Sequence, residues 1–119
     1  MTKTVLVVDD QPGIRMLLRE VIKTLEYNVI EAKTGQEAVD FVKEQHPDLM
    51  LLDYKLPIKD GLEVLNELQS EDYQVPAILM SGLAEDDLQG AHTHSLVKSV
   101  VGKPFDVQKI REIILNILQ

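Results

Sequence analysis

Four apolar runs in this chain each stop on a polar residue, and most of the segments between them have helical spacing. Val5-Leu6-Val7-Val8 stops at Asp9-Asp10, and Leu49-Met50-Leu51-Leu52 at Asp53. Pro76-Ala77-Ile78-Leu79-Met80 stops at Ser81-Gly82, and residues 98–101 run into Gly102-Lys103-Pro104. Unbroken aliphatic runs of this length suit strands buried on both faces. A partly alternating run over 28–32 adds one more strand. Between the strands, Ile14, Leu18, Val21 and Leu25 follow Pro12 at the spacing of one helix face. Ala38, Val39 and Val42 follow Thr34, which has Glu37 as a capping-box partner, and His46-Pro47 ends that helix. Leu62, Val64, Leu65 and Leu68 follow Asp60-Gly61, and Ile110, Ile113, Ile114 and Ile117 follow a capping Asp106. Residues 84–95 read as a weak, polar helix interrupted by Gly90. Five strand–helix units in alternation predict right-handed crossovers and a parallel sheet covered on both faces.

A chain of 119 residues fits one domain with one core. The formal net charge of -8 argues against nucleic-acid binding, which needs a basic footprint, but leaves basic protein partners open. Without cysteine there is neither a disulfide framework nor a thiolate metal site. Met1-Thr2-Lys3-Thr4 leads directly into a strand rather than a signal-peptide core, and no apolar run approaches the roughly 20 residues that span a bilayer. A cytoplasmic domain without membrane contact is expected, spanning 1–119 with no output domain after the last helix.

The polar strand ends carry the chemistry. In an open parallel sheet the C-terminal ends of the strands share one edge, where ligands bind. Asp9, Asp10, Asp53, Ser81 and Lys103 would then meet in one shallow pocket. Three converging carboxylates favour one another's protonated forms, and a hard cation relieves that. Mg²⁺ takes oxygen ligands and commonly one or two carboxylates plus a phosphate, whereas zinc would want His or Cys. Taken singly, each residue has an ordinary reading: Asp9-Asp10 as a helix cap, Asp53 as a turn residue, Lys103-Pro104 as a loop. None of those readings explains all the positions together.

The ordered set Val7-Val8-Asp9-Asp10, Leu51-Leu52-Asp53, Leu56-Pro57, Asp60-Gly61, Met80-Ser81 and Lys103-Pro104-Phe105 resembles the receiver domains of bacterial two-component response regulators. Asp9-Asp10-Gln11, Gly13-Ile14-Arg15 and Lys103-Pro104-Phe105-Asp106 look like the single-domain regulators of sporulation phosphorelays. The resemblance covers the whole chain. It implies a flavodoxin-like (βα)5 doubly wound sandwich with strand order 2-1-3-4-5. It implies that Asp53 is the phosphoacceptor, taking a phosphoryl group from a partner's histidine. Asp10, Asp53 and the backbone carbonyl of Lys55 would hold Mg²⁺, with Asp9 acting mainly through water. Lys103 would pair with Asp53 and then with a phosphoryl oxygen, and Ser81 would hydrogen-bond another. Such transfer is catalysed mostly by positioning and charge neutralisation. The implied partners are a sensor histidine kinase and a histidine phosphotransferase, with room for a phosphatase, around a monomer. The protein would be a phosphoacceptor that assists its own phosphorylation and dephosphorylation rather than a turnover enzyme.

Two positions depart from the family pattern. Val100 stands where many receivers carry an aromatic that swings inward on phosphorylation, and Leu96-Val97 replaces a common Gly-Ala pair. The many apolar residues of the first helix are read as a broad core face, with Ile14 and Leu17 exposed beside the acids and docking a helical partner as the alternative. The Lys55 side chain is expected to shield phosphorylated Asp53 from water. His92 and His94, two apart, are expected to be solvated rather than metal-binding. Within the family, a chemotaxis-like regulator whose phosphorylated form binds a target competes with the relay. An aspartyl-phosphate phosphatase would need a second acid where Gln11 stands, and a flavodoxin-like cofactor binder would not place Asp9-Asp10 at its phosphate loop.

Overall fold

The computed structural model describes residues 2–83 and 85–119. In chain order the elements are β1 (Thr4–Val8), α1 (Pro12–Thr24), β2 (Asn28–Ala32), α2 (Gly35–Gln45), β3 (Leu49–Asp53), α3 (Gly61–Ser70) and β4 (Ala77–Ser81), then β5 (Val97–Gly102) and α4 (Val107–Leu118). The five strands form one parallel sheet in the order β2-β1-β3-β4-β5, as the resemblance implies. The order reverses between β1 and β3, so the connections leaving those strands diverge and open a crevice at their C-terminal ends.

The side-chain alternation of the strands divides the interior into two layers. Val5, Val7, Leu49, Leu51, Ile78 and Met80 pack against Leu18 and Ile22 of α1 and Ile110 and Ile114 of α4. Leu6, Val8, Met50, Leu52 and Leu79 face the other way, onto Val39 and Val42 of α2 and Val64, Leu65 and Leu68 of α3. Full burial of such a side chain contributes about 1.5–3 kcal/mol, so the central strands anchor both layers.

The helix starts follow from side chains the sequence placed there. Thr34 Oγ1 accepts from the Glu37 amide at 3.1 Å, while Glu37 reaches back to the amide of Lys33 at 2.8 Å. That is a capping box shifted one residue outward. Asp60 Oδ1 accepts from the Glu63 amide, and Asp106 Oδ1 from the amides of Gln108 and Lys109. His46 ends α2 in the left-handed conformation, just ahead of Pro47.

The helix expected over 84–95 is not formed. Two single 3₁₀ turns, Glu85–Leu88 and Ala91–Thr93, stand in its place, and Ala84 lies outside the described residues. Gly90, at φ 86°, separates the turns, and the apolar residues are too few for a continuous helical stripe. Among the described residues the sandwich is therefore built on four α-helices rather than five. Leu88, Ala91 and Leu96 still close the core there, so Leu96 earns its place by packing. His92 and His94 are half-buried rather than solvated, and the Leu96 amide donates to His94 Nδ1 at 3.2 Å.

Candidate functional site

The buried polar and charged residues among those described are Asp9, Asp53 and Ser81, and all three sit at strand C-termini. Burying a carboxylate costs several kcal/mol unless it is paired, so their convergence marks where function outweighs stability. Asp9 directly follows β1, Asp53 ends β3, Ser81 ends β4 and Lys103 directly follows β5. Strand register brings them level: Val8 lies opposite Leu52, Asp53 opposite Met80, and Ser81 opposite Gly102. Asp10, Asp53, Lys55, Ser81 and Lys103 line a single cleft of about 430 Å³.

Asp9 is held on every side. Its Oδ1 accepts from the Gln11 amide at 2.9 Å and its Oδ2 from Lys103 Nζ at 2.6 Å. Its own amide donates to the Ala32 carbonyl at 3.2 Å, and its carbonyl accepts from Arg15 Nη1 at 2.8 Å. The helix-cap reading of the acid pair fails, because Gln11 occupies the cap position and Pro12 opens the helix. Lys103 Nζ is also 3.3 Å from Asp53 Oδ1, so one ammonium bridges two carboxylates, with the shorter contact to Asp9. The expected Lys103–Asp53 pair is thus present, and the shorter contact to Asp9 is added to it: Asp9 is the more deeply buried acid and has the greater need of a counter-charge.

One ammonium does not balance three acids. Burial and the neighbouring Asp9 charge push the Asp53 carboxyl up to about 6, against the opposing pull of Lys103. Burial works to lower the Lys103 ammonium, but Asp9 and Asp53 outweigh it and hold it above the usual lysine value. Asp10 is exposed at the rim. One carboxylate oxygen from each of Asp9, Asp10 and Asp53 lies within 4.8 Å of the others, a group that could hold a metal ion. All the donors are oxygens, which suits a hard cation.

Ser81 Oγ accepts from the Leu83 amide at 2.9 Å, which leaves its own proton to donate. The loop after β3 is kept close by Gly61, whose amide donates to the Tyr54 carbonyl at 2.7 Å; a Cβ there would stand 3.0 Å from Tyr54 Cα. A second glycine does the same from the other side. A Cβ on Gly35, the first residue of α2, would lie 2.2 Å from the Lys59 carbonyl oxygen. Sequence reasoning missed Gly35; its signal was a poor helix former placed directly after a strong cap. It named Arg15 only as part of the resemblance and missed its hold on the Asp9 carbonyl, because Glu31, the acid that orients it, is far away in sequence.

The model of the response regulator receiver domain matches residues 5–115. The chain belongs to this family. Receiver domains of two-component systems work with histidine kinases and phosphotransfer proteins, and this chain is a signalling domain of that kind. It is 38% identical to sporulation initiation phosphotransferase F of Bacillus subtilis, over 99% of this chain and 95% of that protein. It is 32% identical to the chemotaxis protein CheY of Halobacterium salinarum, over 99% and 98%. The receiver domain of a sensor histidine kinase from Pseudomonas aeruginosa, solved with magnesium in its active site cleft, superposes with a TM-score of 0.87 at 24% identity, over 98% and 97%. The chain is thus similar over nearly its whole length to a sporulation initiation phosphotransferase and to a chemotaxis protein alike.

The surface around the cleft differs in detail from expectation. Ile14 is partly buried against the core under α1, whereas Met16 and Leu17 are exposed. Ile58, in the loop between β3 and α3, is 79% exposed, and Val100 is exposed on edge strand β5. Val100 has no aromatic ring to swing inward.

Proposed function

We propose that Asp53 accepts a phosphoryl group from a partner's phosphohistidine in an Mg²⁺-dependent reaction and that the protein passes it to a second histidine. The observation that carries this reading is the meeting of three acids, a lysine and a serine hydroxyl where the strand order reverses. Asp10, Asp53 and the Lys55 carbonyl would hold the ion, which supplies positive charge to the transferring oxygens. The raised Asp53 carboxyl supports the fit, since that group lacks positive charge.

The chain's own residues have separable tasks. Asp53 must be ionised to attack phosphorus, and Lys103, already 3.3 Å from its oxygen, is placed to follow the charge onto a phosphoryl oxygen. Asp9 holds that ammonium in reach, and the Ser81 proton is free to meet a second phosphoryl oxygen. Lys55, exposed on the cleft wall, would shield the phosphorylated carboxylate from water. The apolar side chains of Met16 and Leu17 support docking of a partner helix beside the acids. The same reading makes the protein a cytoplasmic monomer, with a phosphatase among its partners.

Mixing the protein and Mg²⁺ with phosphorylated histidine kinases and phosphotransferases tests the proposal. Label should reach Asp53, move onward to a histidine, and be absent from Asp53→Asn. Label that stops at Asp53 and promotes binding of a target would favour the chemotaxis-like role, which the 32% identical relative keeps in view.

A further inference from the structure

Arg15 ties the peptide between the two N-terminal acids to strand β2. It lies in the first turn of α1, and its side chain is only 11% exposed. Nη1 donates to the backbone carbonyl of Asp9 at 2.8 Å, and Nε stands 3.5 Å from Glu31 Oε1 on β2. The other Glu31 oxygen accepts from Arg19 Nη1 at 2.9 Å. Arginines four apart on one helix face repel, and the shared acid resolves the repulsion while fixing the direction of both forks.

The Asp9 carbonyl belongs to the peptide plane that leads into Asp10. Rotating that plane moves the Asp10 side chain relative to Asp53. Asp9 is fully buried, so its carbonyl depends on a protein partner for its hydrogen bond. The side chain of Asp9 is fixed separately by Gln11 and Lys103, which leaves Arg15 to hold the peptide. We propose that Arg15, oriented by Glu31, is a positioning residue that sets Asp10 for cation binding. This rests on the metal reading of the acid cluster given above.

The test is a titration with Mg²⁺ alone, followed through the backbone amide resonances of Asp10 and Tyr54, with thermal unfolding of each variant measured without metal. Partners that orient metal ligands typically change affinity by about 10–100-fold when removed, so Arg15→Met should raise the Mg²⁺ Kd about tenfold. Glu31→Gln should raise it by a smaller factor. Val21→Ala, a core truncation in the same helix, should lower the melting temperature and leave Kd unchanged. A purely structural Arg15 would behave like Val21→Ala, and an unchanged Kd in Arg15→Met overturns the proposal. Should Arg15→Met not fold, Arg15→Gln decides by the same criterion. A wild-type protein that binds no Mg²⁺ overturns the metal reading and this proposal with it. A wild type that binds, lost in Asp10→Asn but kept in Arg15→Met, overturns this proposal alone.

Discussion

Lys103 Nζ lies 2.6 Å from Asp9 Oδ2 and 3.3 Å from Asp53 Oδ1. The lysine is thus shared between an acid that is buried outright and the acid proposed to react. Removing it leaves both carboxylates short of a partner. Lys103→Met should lower folding stability by about 1–3 kcal/mol in metal-free buffer, the usual cost of an orphaned buried group. It should also slow Asp53 phosphorylation by a small-molecule donor about 100-fold, as for other lost charge-stabilising donors. Chemical denaturation and labelling kinetics on the same protein check both numbers.

Asp53 makes a pH prediction of definite sign. Its carboxyl is raised from 3.8 to about 6, first by burial and then by the Asp9 charge. Above about pH 6 the folded protein therefore holds an ionised group that the unfolded chain ionises more readily, which costs stability. As pH falls from 6 towards 4 the native state binds the proton first and the cost disappears. In the presence of a chelator, Asp53→Asn should be more stable than the wild type by about 2 kcal/mol at pH 7, with the difference gone near pH 4. Carboxyl NMR should find the Asp53 midpoint near 6 without metal and well below it with Mg²⁺. A midpoint near 4 without metal would contradict the crowding of charges described here.

Much of this was legible in the residues because it depends on local pattern. The aliphatic runs set the strands, Thr34 and Asp106 set two helix starts, and polar strand ends in a parallel sheet must share an edge. What stayed hidden depends on tertiary approach. The sharing of Lys103 between Asp53 and the more deeply buried Asp9 turns on burial depth, and the Arg15 fork turns on a strand neighbour sixteen positions away. The segment around Gly90 failed as a helix because tertiary packing of Leu88, Ala91 and Leu96 needs only two short turns.

Gly35 gives a prediction that sequence propensity alone would reverse. In an isolated helix, glycine to alanine stabilises by about 1 kcal/mol. Here the added Cβ would meet the Lys59 carbonyl oxygen at 2.2 Å and Lys59 Cβ at 2.6 Å. The β3–α3 loop would have to move away from α2. Gly35→Ala should therefore destabilise by about 1–3 kcal/mol, as overpacking does. It should also slow Asp53 phosphorylation, because that loop carries Lys55. A neutral or stabilising effect in denaturant unfolding would mean that the loop yields at no cost.

Ile58 combines two features that rarely occur together, a β-branched side chain and φ of 74°. The Lys59 amide donates to the Pro57 carbonyl at 2.8 Å, closing a three-residue turn around it. Such a backbone costs about 1–3 kcal/mol in a non-glycine residue. Ile58 is 79% exposed, so its side chain recovers little by packing. Glycine would remove the strain while adding about 0.4–1 kcal/mol of unfolded-chain entropy. The first effect is the larger, so Ile58→Gly should stabilise the fold by about 1 kcal/mol in denaturant unfolding. The variant should keep its phosphorylation rate with a small-molecule donor and lose rate with a protein donor, if the exposed side chain serves docking. Equal loss with both donors would place the role of Ile58 in shaping the loop around Asp53 instead.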